Sequence, residues 1–179
     1  LALAEGEWVS LVGPSGCGKT TLLKLLGLLA RPDAGQVWLG ADDTATWSRS
    51  ARARARLRSI GFVFQTGNLL DHLTTRDNVA LPAWRAGGSR SVELRAADVL
   101  LERFGLTARS SARAATLSAG EAQRAAIARA LINKPRLVLA DEPTGSLDSA
   151  NTELVLASLA EVTAAGAALL VATHEAAVA

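Results

Sequence analysis

Apolar residues along this chain fall into short continuous runs, separated by stretches in which they recur every three or four positions. Trp8, Val9, Ser10, Leu11 and Val12 form the first run, read as a buried strand, and Leu22, Leu25, Leu26 and Leu29 repeat at helical spacing soon after it. A breaker cluster from Arg31 to Gly35 gives way to Gln36 to Leu39, which alternates like an accessory hairpin strand ending at Gly40. The run from Ser48 to Ser59 is rich in helix formers and leads into Ile60, Gly61, Phe62, Val63 and Phe64, a second compact strand with Gln65 at its carboxyl end. Thr66 to Asp77 is polar and loop-like, Pro82 predicts a break, and Gly87, Gly88 and Ser89 link to a helix from Val92 to Phe104. From Leu117 a loop runs to Gly120, and Glu121 to Asn133 predicts an Ala-rich helix stopped by Pro135. Leu137, Val138, Leu139 and Ala140 are continuously apolar, as expected of a parallel strand covered on both faces. A helix from Ser149 to Ala164 and a strand from Ala168 to Ala172 close the series. Strands alternating with helices predict an α/β fold with a parallel sheet, whose chemistry collects at the carboxyl ends of its strands.

Composition changes this picture little. The chain has 179 residues, 49% hydrophobic and 20% charged, which suits one globular domain and argues against disorder. The longest apolar stretch, Val162 to Thr173, is too short for the ~20 residues that a membrane-crossing helix needs, so work at a membrane calls for a partner that supplies the spans. Net charge is +2 with both signs mixed along most of the chain, a balance that does not point to nucleic acid. The local excess of Arg49, Arg52, Arg54, Arg56 and Arg58 reads as a solvated helix face. A single cysteine, Cys17, rules out an internal disulfide and fits a reducing compartment, and the start carries no signal-peptide pattern. There is no Met, so Leu1 is not expected to be the translational start and the chain is expected to be trimmed.

Candidate chemistry begins at Gly13, Pro14, Ser15, Gly16, Cys17, Gly18, Lys19 and Thr20, which match G-x-x-x-x-G-K-[ST] at every fixed position. Three glycines let consecutive backbone N–H groups point into one concavity, Lys19 brings a point charge for the β and γ phosphates, and the Thr20 hydroxyl has the reach to ligate Mg²⁺. Because the loop joins a strand to a helix, the positive end of the helix dipole faces the anion. Cys17 belongs to this cradle and is not expected to act as a nucleophile. Asp141 and Glu142 close an apolar strand, where the first can hold Mg²⁺ and the second can activate water against the γ phosphate. Gln65 closes another strand, a place that a merely structural polar residue also takes, and its amide oxygen has the reach for a metal or a water. His174 ends the last strand beside these groups, which favours a γ-phosphate contact, whereas His72 sits in a polar loop without such neighbours. Leu117 to Glu121 opens a second helix N-terminus suited to an anion. One nucleotide does not need two such sites, so the second makes sense in the service of another subunit's nucleotide.

With its phosphate loop, Gln65, the LSAGE stretch, LVLADE, the Ser146, Leu147, Asp148 loop and His174 in this order, the chain resembles the ATP-binding cassette family, the ATPase subunits of ABC transporters. IGFVFQTGNLLDHLTTRDNVALP and ADEPTGSLD are more similar still to its lipoprotein-releasing, macrolide-exporting and cell-division members. The resemblance implies a phosphate-loop NTPase with a RecA-like core (residues 1–65 and 134–179), a helical subdomain from Thr66 to Asn133 and accessory antiparallel strands. It implies two ATP molecules sandwiched in a head-to-tail dimer, each bound by Gly13 to Thr21 of one copy and by Ser118 and Gly120 of the other. Glu142 would be the general base, Thr20, Gln65 and Asp141 the Mg²⁺ shell, His174 the γ-phosphate switch, and Asp148 an interface residue. The loop after Gln65 would touch a transmembrane permease at the cytoplasmic face of the membrane. No nucleic-acid partner is expected, since Thr20 to Leu117 holds no long coiled coil of the DNA-repair type and the chain has no second cassette of the ribosome type. A member that signals through its membrane partner instead of pumping is the alternative. In two respects the chain departs from the family. Ala119 stands where a glycine is usual, and the adenine-stacking aromatic and a closing segment are expected beyond Leu1 and His174.

Overall fold

The computed structural model describes residues 1–145 and 147–174. The described residues contain six strands, β1 (Trp8–Val12), β2 (Trp38–Leu39), β3 (Asp42–Asp43), β4 (Ile60–Val63), β5 (Leu137–Asp141) and β6 (Ala168–Thr173), and six α-helices, α1 (Lys19–Leu26), α2 (Arg49–Ser59), α3 (Thr75–Arg85), α4 (Arg90–Arg103), α5 (Ala119–Leu131) and α6 (Ser149–Ala164). Four strands form one sheet in the order β1-β6-β5-β4, and every neighbour in it is parallel. The other two, β2 and β3, make the small antiparallel pair expected around Gly40.

The two central strands are the two most continuously apolar ones, because helices cover both of their faces. Leu137, Leu139, Ala168, Leu170 and Ala172 point to one side, where Leu23 of α1 and Leu28 meet them. Val138, Ala140, Leu169 and Val171 point to the other, into a larger core with Ile127 of α5 and Val155 and Leu159 of α6. At Gly61 of β4 an added β-carbon would stand 2.7 Å from the Ala130 carbonyl oxygen, so strand and helix α5 meet there backbone to backbone. Between β4 and β5 the chain inserts α3, α4 and α5, which pack on one another and share the larger core.

The accessory strand covers only Trp38–Leu39 of the expected Gln36 to Leu39, and two further local expectations differ from the fold. First, α1 stops at Leu26, Leu28 turns through a positive φ of 56° into the core, and Leu29 is left 52% exposed. The helical repeat therefore ends one leucine earlier than the spacing suggests. Second, Pro82 lies inside α3 instead of breaking the chain. Proline removes one backbone donor at a cost of about 3 kcal/mol. Full burial of Val79 and Ala80, near-full burial of Ala83, and an N-terminus capped by Thr74 with Asp77 (3.0 Å) hold the helix through it.

Candidate active site

Strand register brings the expected groups to one level. Val12 pairs with Thr173 and Asp141 with Ala172, so the residues that follow β1, β5 and β6 emerge side by side at the carboxyl edge of the sheet. The loop from β1 to α1 turns through Gly16 (φ 82°) and Gly18 (φ 102°), left-handed conformations that glycine takes without steric cost. Lys19 is only 8% exposed and folds back over this loop, donating to the Gly13 carbonyl (2.6 Å) and the Pro14 carbonyl (3.2 Å). The Thr20 hydroxyl donates to Asp141 Oδ2 at 2.9 Å.

Glu142 connects the parts. Its backbone N–H extends the β5–β6 ladder by donating to the Ala172 carbonyl (2.8 Å), and its own φ of 46° then swings the chain out of the strand. A left-handed conformation in a non-glycine residue stores strain, and such strain clusters at functional sites. Glu142 Oε1 lies 3.7 Å from Lys19 Nζ. Glu142 Oε2 is 2.8 Å from His174 Nδ1 and accepts from the His174 backbone N–H at 3.3 Å. Ser15, Gly16, Gly18, Lys19, Thr20 and Thr21 on one side, and Asp141 and Glu142 on the other, line a cavity of about 280 Å³.

Thus the structure gathers the phosphate loop, Asp141, Glu142 and His174. Gln65 stands at the edge of this group: its Nε2 is 3.1 Å from where a β-carbon of Gly145 would stand, so the bare glycine lets it lie against the Glu142 turn. Ser118 and Gly120 are not in the lining of that cavity. Ser118 caps α5, its hydroxyl accepting from the Glu121 N–H (3.3 Å) while Glu121 Oε2 accepts from the Ser118 N–H (2.8 Å). Arg109 Nε is 3.3 Å from the other oxygen of Glu121. Ala119 is exposed at the tip of this turn. His72 is exposed in the loop before α3, and Ser146 lies outside the described residues while Leu147 and Asp148 lie within them.

Sequence reasoning passed over two residues of α5. Gln123, buried, donates to the Phe64 carbonyl at 3.0 Å, and Arg129 donates to the Gly67 carbonyl at 2.7 Å and the Asn68 carbonyl at 2.6 Å. Together they pin the segment on both sides of Gln65 to the helix that Ser118 caps. Burial lowers the Arg129 guanidinium below its usual value and leaves it a cation. The available signal was a glutamine on the buried face of an otherwise alanine-rich helix.

As donors for a cation, the Thr20 hydroxyl and the Asp141 carboxylate are hard oxygens already in contact. Among the described residues no three His, Cys, Asp or Glu side chains cluster as a closed metal cage. That set suits Mg²⁺, which uses one or two protein oxygens and completes its shell with phosphate oxygens and water.

A concave loop of N–H groups with a buried lysine can hold a polyphosphate, and a carboxylate beside that lysine can direct water at its end. This is the chemistry of phosphate-loop nucleotide hydrolases. Comparison with known proteins narrows the class: residues 1–145 match the family model described as ABC transporter, and the chain belongs to that family. It is 46% identical over 176 residues to the lipoprotein-releasing system ATP-binding protein LolD of Shewanella oneidensis, covering 98% of this chain and 76% of the relative. It is 45% identical to the macrolide export ATP-binding/permease protein MacB 2 of Aeromonas hydrophila, covering 98% of this chain and 27% of that longer protein. A solved dimeric structure of the ATP-binding cassette MJ0796 in a post-hydrolysis state with ADP and Pi superposes with a TM-score of 0.90 at 37% identity, over 100% of this chain and 79% of that one. The α/β fold, ATP as the nucleotide, and ATP hydrolysis that powers membrane transport are therefore as the resemblance implied.

Cys17 offers a direct check on the loop. Its thiol is exposed and packs over Gly13, where an added β-carbon would meet Sγ at 2.8 Å. Alkylation with a maleimide puts bulk into the cradle and should abolish ATP binding, as read by titration calorimetry. Unchanged affinity in fully modified protein would place the nucleotide elsewhere.

Proposed function

We propose that two copies of this chain close head to tail around two ATP molecules, and that this closure drives a transmembrane permease that extrudes a lipoprotein, a peptide or another exported cargo. One observation carries the reading. The phosphate loop, Lys19, Thr20, Asp141 and Glu142 line one cavity, with His174 bonded to Glu142 at its side, while Ser118 and Gly120, on a fully capped second helix N-terminus, lie outside it. The dimeric state of MJ0796 and the names of the LolD and MacB relatives support it.

In this reading ATP exchanges the carbonyl partners of Lys19 for phosphate oxygens and loosens its hold on Glu142. Glu142 Oε1 then accepts the proton of the attacking water, while His174, bonded to Oε2, fixes the carboxylate and reaches the γ phosphate. Bound Mg²⁺ would neutralise charge across the β and γ phosphates, and Thr20, Gln65 and Asp141 are the residues that would hold it. The N–H groups of Gly13 to Thr21 cradle the phosphates from one copy, and Ser118 and Gly120 of the other complete the enclosure.

No described helix is long and apolar enough to cross a membrane. The names of the LolD and MacB relatives support placing this domain at the cytoplasmic face, beside the membrane-spanning permease. Residues 66–133 act as a helical subdomain against the core, and Gln123 and Arg129 tie the segment around Gln65 to α5, so a push on that segment reaches the Ser118 turn. Purification of the complete polypeptide from membranes should bring a membrane-spanning protein with it. Recovery from the soluble fraction alone, at full turnover and with no such partner, would sink the proposal.

A further inference from the structure

Gly120 and Asp148 belong to different elements, the first turn of α5 and the cap of α6, yet one side chain joins them. Asn151 Nδ2 donates to both carboxylate oxygens of Asp148, at 3.0 and 3.1 Å. The Asn151 backbone N–H also donates to Asp148 Oδ1 at 2.8 Å, closing the cap of α6. The other end of the same amide rests on Gly120: a β-carbon added there would clash with Asn151 Oδ1 and stand 2.6 Å from its Cγ and 3.0 Å from its Cβ. Gly120 is buried in consequence, even though Ser118 and Ala119 beside it are exposed. These bonds hold the Asp148 carboxyl below its usual range, with the backbone donor of Asn151 the largest cause and its side chain the next.

We propose that Asn151 is a positioning residue that ties the Asp148 segment to the Ser118–Gly120 turn, so that both meet the partner copy's phosphate loop as one unit. The inference rests on the head-to-tail reading above. Glycine at position 120 thereby makes room for the amide behind it. Nδ2 is the discriminating atom. An apolar or acidic side chain at 151 keeps the backbone donor that caps α6 but removes the side-chain donor that holds Asp148. Aspartate there keeps the shape of the amide and also sets a second carboxylate against Asp148.

The experiment compares Asn151→Ala and Asn151→Asp in the complete polypeptide. Two quantities are read: ATP affinity at low protein concentration, by calorimetry, and ATP-dependent dimerisation in a Glu142→Gln background, by sedimentation. Both variants should bind ATP within about twofold of the parent, since the phosphate loop is untouched. Both should dimerise about 10- to 100-fold more weakly, the range for a lost hydrogen bond to a charged group. Aspartate should be at least as damaging as alanine. If aspartate dimerises normally while alanine does not, Asn151 only fills space and the tie is overturned. If both dimerise normally, the inference falls and the head-to-tail reading stands. If the parent itself forms no dimer with ATP, both fall together.

Discussion

Replacing Glu142 with glutamine slows ATP turnover by about 10²- to 10⁴-fold and leaves ATP binding intact. The expectation follows from the surroundings of its two oxygens. Oε2 is taken by His174, through the ring nitrogen at 2.8 Å and the backbone N–H at 3.3 Å, so the carboxylate is held in one orientation. Oε1 faces Lys19 at 3.7 Å and is, in the proposed function, the oxygen that ATP would free for a water. Glutamine preserves the shape and one acceptor but cannot take up a proton, so the loss should appear in kcat while nucleotide affinity stays near the parent value. Steady-state turnover and calorimetry on the same protein separate the two. A variant that turns over ATP at the parent rate would remove Glu142 from the chemistry.

Replacing Lys19 with alanine acts at the opposite end of the same contact and should weaken ATP binding by roughly 10- to 150-fold, the equivalent of about 1.5–3 kcal/mol of charge-assisted hydrogen bonding to phosphate. Lys19 is buried against its own loop, so its ammonium stands at the cradle before the nucleotide arrives and little side-chain freedom remains to be lost on binding. Arginine should not rescue the variant, because a bulkier planar fork does not fit the tight loop that closes over a compact ammonium. Calorimetry with ATP reads the affinity, and far-UV circular dichroism shows that the fold is retained. Parent-like affinity in the alanine variant would mean that the backbone N–H groups hold the nucleotide without Lys19.

Local order was the legible part of this chain. A glycine-spaced loop between an apolar run and a helical repeat can be read from residue types alone, because the left-handed turns at Gly16 and Gly18 demand glycine wherever the loop sits in space. The strands β4, β5 and β6 were legible for a similar reason, since continuous apolar runs need cover on both faces. Contacts between strand ends were not. The pairing of Glu142 with His174 depends on β5 and β6 being neighbours in the order β1-β6-β5-β4, an order that chain sequence does not state. Pro82 misled because propensity counts the lost donor and not the burial of Val79 and Ala80 around it. Leu28 and Leu29 exchanged places because a single left-handed residue after Gly27 shifts which side chain meets the core. Gln123, Arg129 and Asn151 escaped notice because each acts on a backbone or carboxylate far away in sequence or on another element.

The central claim is that one chain carries only half of its active site, and the ATP-dependent mass of the Glu142→Gln protein tests it most directly. With hydrolysis blocked, bound ATP persists and the closed state accumulates. Sedimentation equilibrium should then show a monomer without nucleotide and a dimer of twice the mass with Mg²⁺ and ATP, reverting to monomer when ADP replaces ATP. A monomer at saturating ATP, together with parent turnover per chain that does not change with protein concentration, would contradict the claim.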